Sequence, residues 1–134
     1  MGQQENKVVY LRFIEEVFNR GDFSHLDELL ADNYKIQGVQ PASSPADAVR
    51  ASATMFRTAF PDLHIEVEEV IAEGNTVAAR ARLTGTQLGE FLGTPPTGRS
   101  VSVSNLTILH LRDGKMAESW VADDFQAMKR QLGP

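Results

Sequence analysis

Apolar residues recur at steps of three and four through the first part of the chain and at steps of two through most of the second, so the sequence reads as helices followed by sheet. From Glu5 to Arg20, the residues Tyr10, Leu11, Phe13, Ile14, Val17 and Phe18 form one broad apolar face, and Gly21 supplies the stop. Ser24 and Asp27 have the spacing of a capping pair and predict a short helix carrying Leu26, Leu29 and Leu30, which Asp32 and Asn33 break. Tyr34 to Gly38 reads as a brief strand, and VQPASSP after it as a loop. Ser44, Pro45 and Asp47 open a third helix, with apolar residues Val49, Met55, Phe56, Ala59 and Phe60, that ends at Pro61.

Period two then takes over. Leu63, Ile65 and Val67 alternate with His64, Glu66 and Glu68 up to a Gly74-Asn75 turn, and Val77, Ala79, Ala81 and Leu83 alternate with Arg80, Arg82 and Thr84 beyond it, which predicts a hairpin. The glycines and prolines of GTQLGEFLGTPPTGR exclude a regular element of any length. Ser100 to Arg112, an Asp113-Gly114 turn and Lys115 to Asp123 form a second hairpin, and a last helix runs from Asp124 to Leu132. Helices first and a bent antiparallel sheet after them predict an α+β fold of one domain over residues 1–134, its helices covering one sheet face and a conical cavity left between them.

Composition narrows the partners. A formal charge of −5 leaves no basic surplus for a nucleic-acid backbone or an anionic membrane. No cysteine is present, and His25, His64 and His110 lack the spacing of a metal motif, so neither a thiolate nor a metal centre is expected. No apolar run approaches a signal segment or a membrane span, and a cytoplasmic location is the expectation.

The stretch ESWVADDFQ raises the sharpest chemical question, because a strand ends on two adjacent carboxylates. Asp123 with Gln126 has capping-box spacing, and either aspartate can accept from the free N–H groups of the next turn. Alternation puts Ser119, Val121 and Asp123 on one face and Asp124 on the other.

The segments AFPDL (59–63), EGNTVAAR (73–80), GTQLGEFLGTPPTGR (85–99), DGKMAESW (113–120) and DFQAMKRQLG (124–133) together resemble the SnoaL-like polyketide cyclases of the NTF2-like superfamily. The resemblance implies an NTF2-like cone and intramolecular ring closure in an aromatic polyketide ester. It implies no metal or organic cofactor, and one interior carboxylate of raised pKa that moves a proton. It also implies that the face of Ser119, Val121 and Asp123 looks into the cavity. At that centre the chain departs from the family pattern. The family's catalytic aspartate falls on Val121 and its neighbouring histidine on Ser119, while two further histidines fall on Gln87 and Thr107.

Asp123 therefore either caps the last helix or serves as a displaced base, and Asn105 either donates to a substrate oxyanion or bonds a neighbouring side chain. Val103, Asn105, Thr107 and Leu109 are expected on the cavity face of their strand. Tyr34 and Gln87 are candidate polar contacts, against the plainer roles of a core-edge tyrosine and a loop glutamine. Met55, Phe56, Phe60, Phe91 and Leu92 are candidate apolar contacts, or simply core. The leading expectation is a cofactor-free cyclase or isomerase, of the lyase or isomerase class, acting on a hydrophobic carbonyl-rich molecule. A non-catalytic small-molecule-binding module is the alternative that Val121 and Ser119 favour. An epoxide-hydrolase or hydratase type wants two carboxylates around an arginine, and the interior strand positions offer no arginine. A homodimer through the outer sheet face is expected from Ser102, Ser104, Leu106, Ile108 and Trp120.

Overall fold

The computed structural model describes residues 2–38 and 44–133. Helix α1 spans Gln3–Phe13 and continues as a wider π-helical turn, Ile14–Asn19. A single turn, α2 (Leu26–Leu29), leads into strand β1 (Leu30–Ile36), and α3 (Pro45–Ala59) follows. Four longer strands complete the sheet: β2 (His64–Glu73), β3 (Thr76–Thr86), β4 (Ser100–Arg112) and β5 (Lys115–Asp123). Helix α4 (Phe125–Leu132) closes the chain. The sheet order is β1-β5-β4-β3-β2, antiparallel except for β1, which runs parallel to β5. Most of the expected loop VQPASSP lies outside the described residues.

Local chemistry explains most boundaries. Ser44 Oγ accepts from the Asp47 N–H at 3.1 Å, and Pro45 occupies the first helical position where its missing N–H costs nothing. Asp113 and Gly114 have φ of 52° and 78°, the paired positive angles of a two-residue hairpin turn. Two expectations fail. Asp32 and Asn33 do not break an element but lie within β1, in the irregular stretch between the pairs Leu30–Met116 and Lys35–Glu118 that hold the strand to β5 on either side of them. Ser24 does not cap α2: its N–H and hydroxyl both turn back to Asp22 Oδ1, at 3.0 and 2.6 Å.

The core lies between the helices and the inner sheet face, where Val77, Ala79, Ala81 and Leu83 of β3 and Val101, Val103, Leu109 and Leu111 of β4 meet Phe13, Val17, Val49, Phe56 and Ala59. Two bulges bend this sheet. One sets Glu68 out of register in β2, and the other leaves Ala117 unpaired in β5, between the pairs Leu111–Met116 and His110–Glu118. On the outer face, Glu68 receives Arg80 at 2.6 Å and Arg82 at 3.4 Å.

The helical layer is tied to the sheet where the π turn ends. Asn19 imitates a strand partner, accepting from the Ile65 N–H at 2.7 Å and donating to the Ile65 carbonyl at 2.9 Å, groups that the edge strand β2 would otherwise leave bare. Arg57 donates to the carbonyls of Phe18 and Asn19 at 2.9 and 2.8 Å. Gly21 turns away at φ 65°, where a Cβ would meet Arg57 Nε at 2.8 Å. Asn19→Ala strands both Ile65 groups and is expected to lower stability by about 1–3 kcal/mol in urea denaturation. A change below ~0.5 kcal/mol, within the scatter of ordinary surface substitutions, would show that the tie contributes nothing.

Candidate functional site

Between the two layers lies a cavity of about 390 Å³, within the size range of small-molecule sites. Tyr10, Phe13, Ile14 and Phe18 line it from the first helix and its π turn, and Val49, Ser52, Met55 and Phe56 from α3. Tyr34 and Ile36 of β1, Asn105 and Thr107 of β4, and Ser119, Val121 and Asp123 of β5 line it from the sheet, with Phe125 beside them. Phe125 stacks on Phe56 with centroids 6.5 Å apart, so an aromatic pair flanks the polar end.

The two aspartates divide. Asp124 Oδ1 accepts from the Ala127 N–H at 2.9 Å and caps α4. Asp123 points into the cavity. It stands directly opposite Asn105 in the β4–β5 ladder, and the Asn105 amide donates to its Oδ1 at 2.6 Å. Thr107 donates to Asn105 Oδ1 at 3.3 Å, which orients that amide with its N–H toward the carboxylate. Burial among apolar walls raises the Asp123 pKa above its ordinary value, and the Asn105 donor offsets the rise only in part. At the other end of the same wall, Tyr34 and Ser119 share a buried hydrogen bond of 2.6 Å. Burial pushes Tyr34 up to about 12, with Ser119 opposing the shift.

Tyr10 was visible in the sequence only as one apolar position of the first helix. The residue lines the cavity, and its hydroxyl is buried with no hydrogen-bond partner. Burial, and then the Asp123 charge, push it up to about 12. The nearby Thr107 side chain opposes the shift by more than the Asp123 charge adds to it, without reaching hydrogen-bond geometry.

Several expected contacts lie elsewhere. Gln87 is fully buried, but its Nε2 donates to the Thr94 carbonyl at 3.0 Å and its Oε1 accepts from the Thr97 N–H and hydroxyl at 3.2 and 2.8 Å. It braces the proline loop and does not line the cavity. Phe60 and Phe91 pack on each other in the core with centroids 5.2 Å apart, behind the cavity wall. Leu92, at 63% exposure and φ 47°, sits on the loop in solvent. Val103 and Leu109 share the inner face of β4 with Asn105 and Thr107 but are core residues outside the cavity lining.

Among the described residues no arginine or lysine lines the cavity. Glu16, Asp22 and His25 bring their oxygen and nitrogen atoms within 4.8 Å of one another outside it, but Glu16 is committed to Arg12 and His25, each at 2.9 Å, and Asp22 to Ser24. No helix among the described residues is long and apolar enough to cross a membrane.

The raised Asp123 pKa has a signed consequence for stability. Above its ordinary value of 3.8, the folded chain retains a proton that the unfolded chain has released. The associated stability is complete below 3.8 and is lost as pH rises through the folded pKa. Asp123→Asn removes that dependence. Urea titrations should show the unaltered chain losing stability relative to the variant as the pH rises from 3.8 toward neutrality. Parallel curves would show that the carboxyl is not desolvated.

The family model described as SnoaL-like polyketide cyclase matches residues 8–132. Aklanonic acid methyl ester cyclase DnrD of Streptomyces peucetius is 28% identical over 127 residues, covering 92% of this chain and 88% of that protein. Nogalonic acid methyl ester cyclase of Streptomyces nogalater is 27% identical over 123 residues, covering 87% and 89%. The solved structure of TsrD from Streptomyces laurentii matches with a TM-score of 0.89 at 29% identity, over 99% of this chain and 98% of that one.

Proposed function

The chain belongs to the SnoaL-like polyketide cyclase family, and from that membership we propose that it closes a ring in, or isomerises, a hydrophobic carbonyl-rich molecule of aromatic polyketide type, with Asp123 as its acid–base group. The observation that carries this reading is the Asp123 carboxylate, desolvated in an apolar cavity and held by one donor. A carboxylate of raised pKa is a competent base toward a carbon acid near neutral pH.

The steps balance without an added reactant. Asp123 takes a proton from a carbon flanked by carbonyl groups, and the C–H electron pair passes into an enolate. The enolate carbon attacks a second carbonyl carbon of the same molecule, forming the new C–C bond. The oxygen of that carbonyl becomes an alkoxide and receives the proton back from Asp123. No electrons leave or enter, so the reaction requires no cofactor. Met55, Phe56 and Phe125 offer apolar surface against which a planar aromatic substrate folds into reactive shape, and Tyr34 with Ser119 offers polar contact to a peripheral oxygen. On this reading the family's carboxylate, absent at Val121, is replaced from two positions further along the same strand face.

A binding module without turnover is the second reading, favoured by the apolar Val121 in the cavity wall. Aklanonic acid methyl ester and nogalonic acid methyl ester, the substrates named for the two relatives, are the first compounds to test. Ring closure by the chain, reduced ~100-fold or more in Asp123→Asn with ligand affinity nearly intact, is expected for a general base. Binding of either ester without product supports the module, and unchanged turnover in Asp123→Asn removes Asp123 from the chemistry.

The outer sheet face is proposed as a homodimer surface. Leu106, Ile108 and Trp120 are exposed there by 53, 44 and 37%, and with Ala122 they border an open groove of about 490 Å³. Light scattering at micromolar concentration should give twice 14.8 kDa, and Trp120→Glu should return the single-chain mass. A single-chain mass for the unaltered protein would remove the proposal.

A further inference from the structure

We propose that the Tyr10 hydroxyl is the catalytic hydrogen-bond donor to the substrate oxygen that gains negative charge as Asp123 removes the proton. The inference rests on the base role given above to Asp123. It adds a residue from the helical layer to a mechanism otherwise carried by the sheet.

The polar groups that the sheet presents to the cavity are occupied with one another. Asn105, the donor that strand alternation suggests, directs its amide nitrogen at Asp123 and its oxygen at Thr107. Tyr34 and Ser119 satisfy each other. The Tyr10 hydroxyl, by contrast, is buried without a protein partner. Phenylalanine would fill the same volume without burying an unsatisfied polar atom, so the hydroxyl finds its partner only in what fills the cavity.

The chemistry fits a donor and not a second base. With its pKa up at about 12, Tyr10 keeps its proton at any ordinary pH. Tyr10 and Asp123 line the same cavity, from the helical layer and from the sheet. When Asp123 takes the substrate proton its own charge disappears while charge appears on the substrate oxygen, and the phenol then has one anion to serve in place of another. The proton ledger is unchanged, because Tyr10 shares its proton in a hydrogen bond and does not give it up. A donor fixed in a low-dielectric wall stabilises such charge without reorganising.

The test uses 4-nitrophenolate, whose oxyanion stands for the enolate oxygen, and 4-nitrotoluene, which has the same shape and no oxyanion. Both are titrated into the full chain, Asp123→Asn, and Asp123→Asn with Tyr10→Phe, at a pH where the phenol and Asp123 are ionised. The asparagine stands for the protonated aspartic acid that follows proton abstraction. Adding Tyr10→Phe should weaken 4-nitrophenolate by roughly tenfold or more, the range of one hydrogen bond to a charged group, and leave 4-nitrotoluene within about twofold. The melting temperature of Tyr10→Phe alone should be equal or higher, since it deletes an unpartnered hydroxyl. Equal losses for both probes, no loss for either, failure of the cavity to bind either at millimolar concentration, or a melting temperature several degrees lower would each overturn the proposal. The base is reported separately. Asp123→Asn should tighten 4-nitrophenolate by removing a like charge, and if it does not, the base role falls together with the Tyr10 role that depends on it. If tightening occurs and the Tyr10→Phe arm fails, only the role of Tyr10 is lost.

Discussion

One extra residue in β5 decides which way Asp123 points. The hairpin leaves its Asp113-Gly114 turn with Arg112 opposite Lys115 and Leu111 opposite Met116, and had that register continued, Asn105 would stand opposite Ala122. Asp123 would then fall on the outer face, since a slip of one residue reverses every side chain. The bulge at Ala117 shifts the ladder by one, so Met116 and Ser119, three positions apart, both reach the interior. From Ser119 onward the alternation carries Val121 and Asp123 to the cavity and sets Asp123 against Asn105.

The electrostatics of the site follow from that placement. A carboxylate given two or three donors becomes a weak base, and one given none in an apolar wall protonates and stops serving as a base at all. Asp123 lies between these limits, with a single donor whose orientation Thr107 sets. The next residue makes this arrangement compatible with a helix. Asp124 caps α4, so Asp123 is free of that task, and the pair of acids that looks redundant in the sequence splits into one structural and one interior group.

Strand periodicity and turn chemistry made much of this legible. The hairpin turns, the extents of β4 and β5, the Ser44 cap and the shared face of Ser119, Val121 and Asp123 all follow from local pattern. The same pattern failed where tertiary contacts overrule local preference. Asp32 and Asn33 enter β1 because β5 pairs with the strand on either side of them, at Leu30 and Lys35, across more than eighty residues of sequence. Gln87 could not be told from an exposed loop residue, because what buries it is the return of its own loop at Thr94 and Thr97. Tyr10 was hidden for a different reason: on a helix stripe a tyrosine that packs and a tyrosine that presents its hydroxyl to a cavity have the same spacing. Nor does a bulge at Ala117 leave a mark in composition, since the residue is an ordinary alanine.

The two walls of the cavity are held by different forces, and this separates what each can vary. The sheet wall is fixed by ladder hydrogen bonds, so Asn105, Thr107, Ser119 and Asp123 keep relative positions set by the backbone. The helical wall is held by side-chain packing, by the Asn19 bridge to Ile65 and by Arg57 on the carbonyls of the π turn. Substitutions at Phe13, Val49, Met55 or Phe56 change cavity shape by a methylene or a ring without disturbing the ladder. On the proposed mechanism, shape selection of a substrate therefore belongs to the helices and acid–base geometry to the sheet. Tyr10 places a polar group on that packed wall, and the role proposed for it depends on ties such as the one between Asn19 and Ile65 that hold the end of the first helix to the sheet.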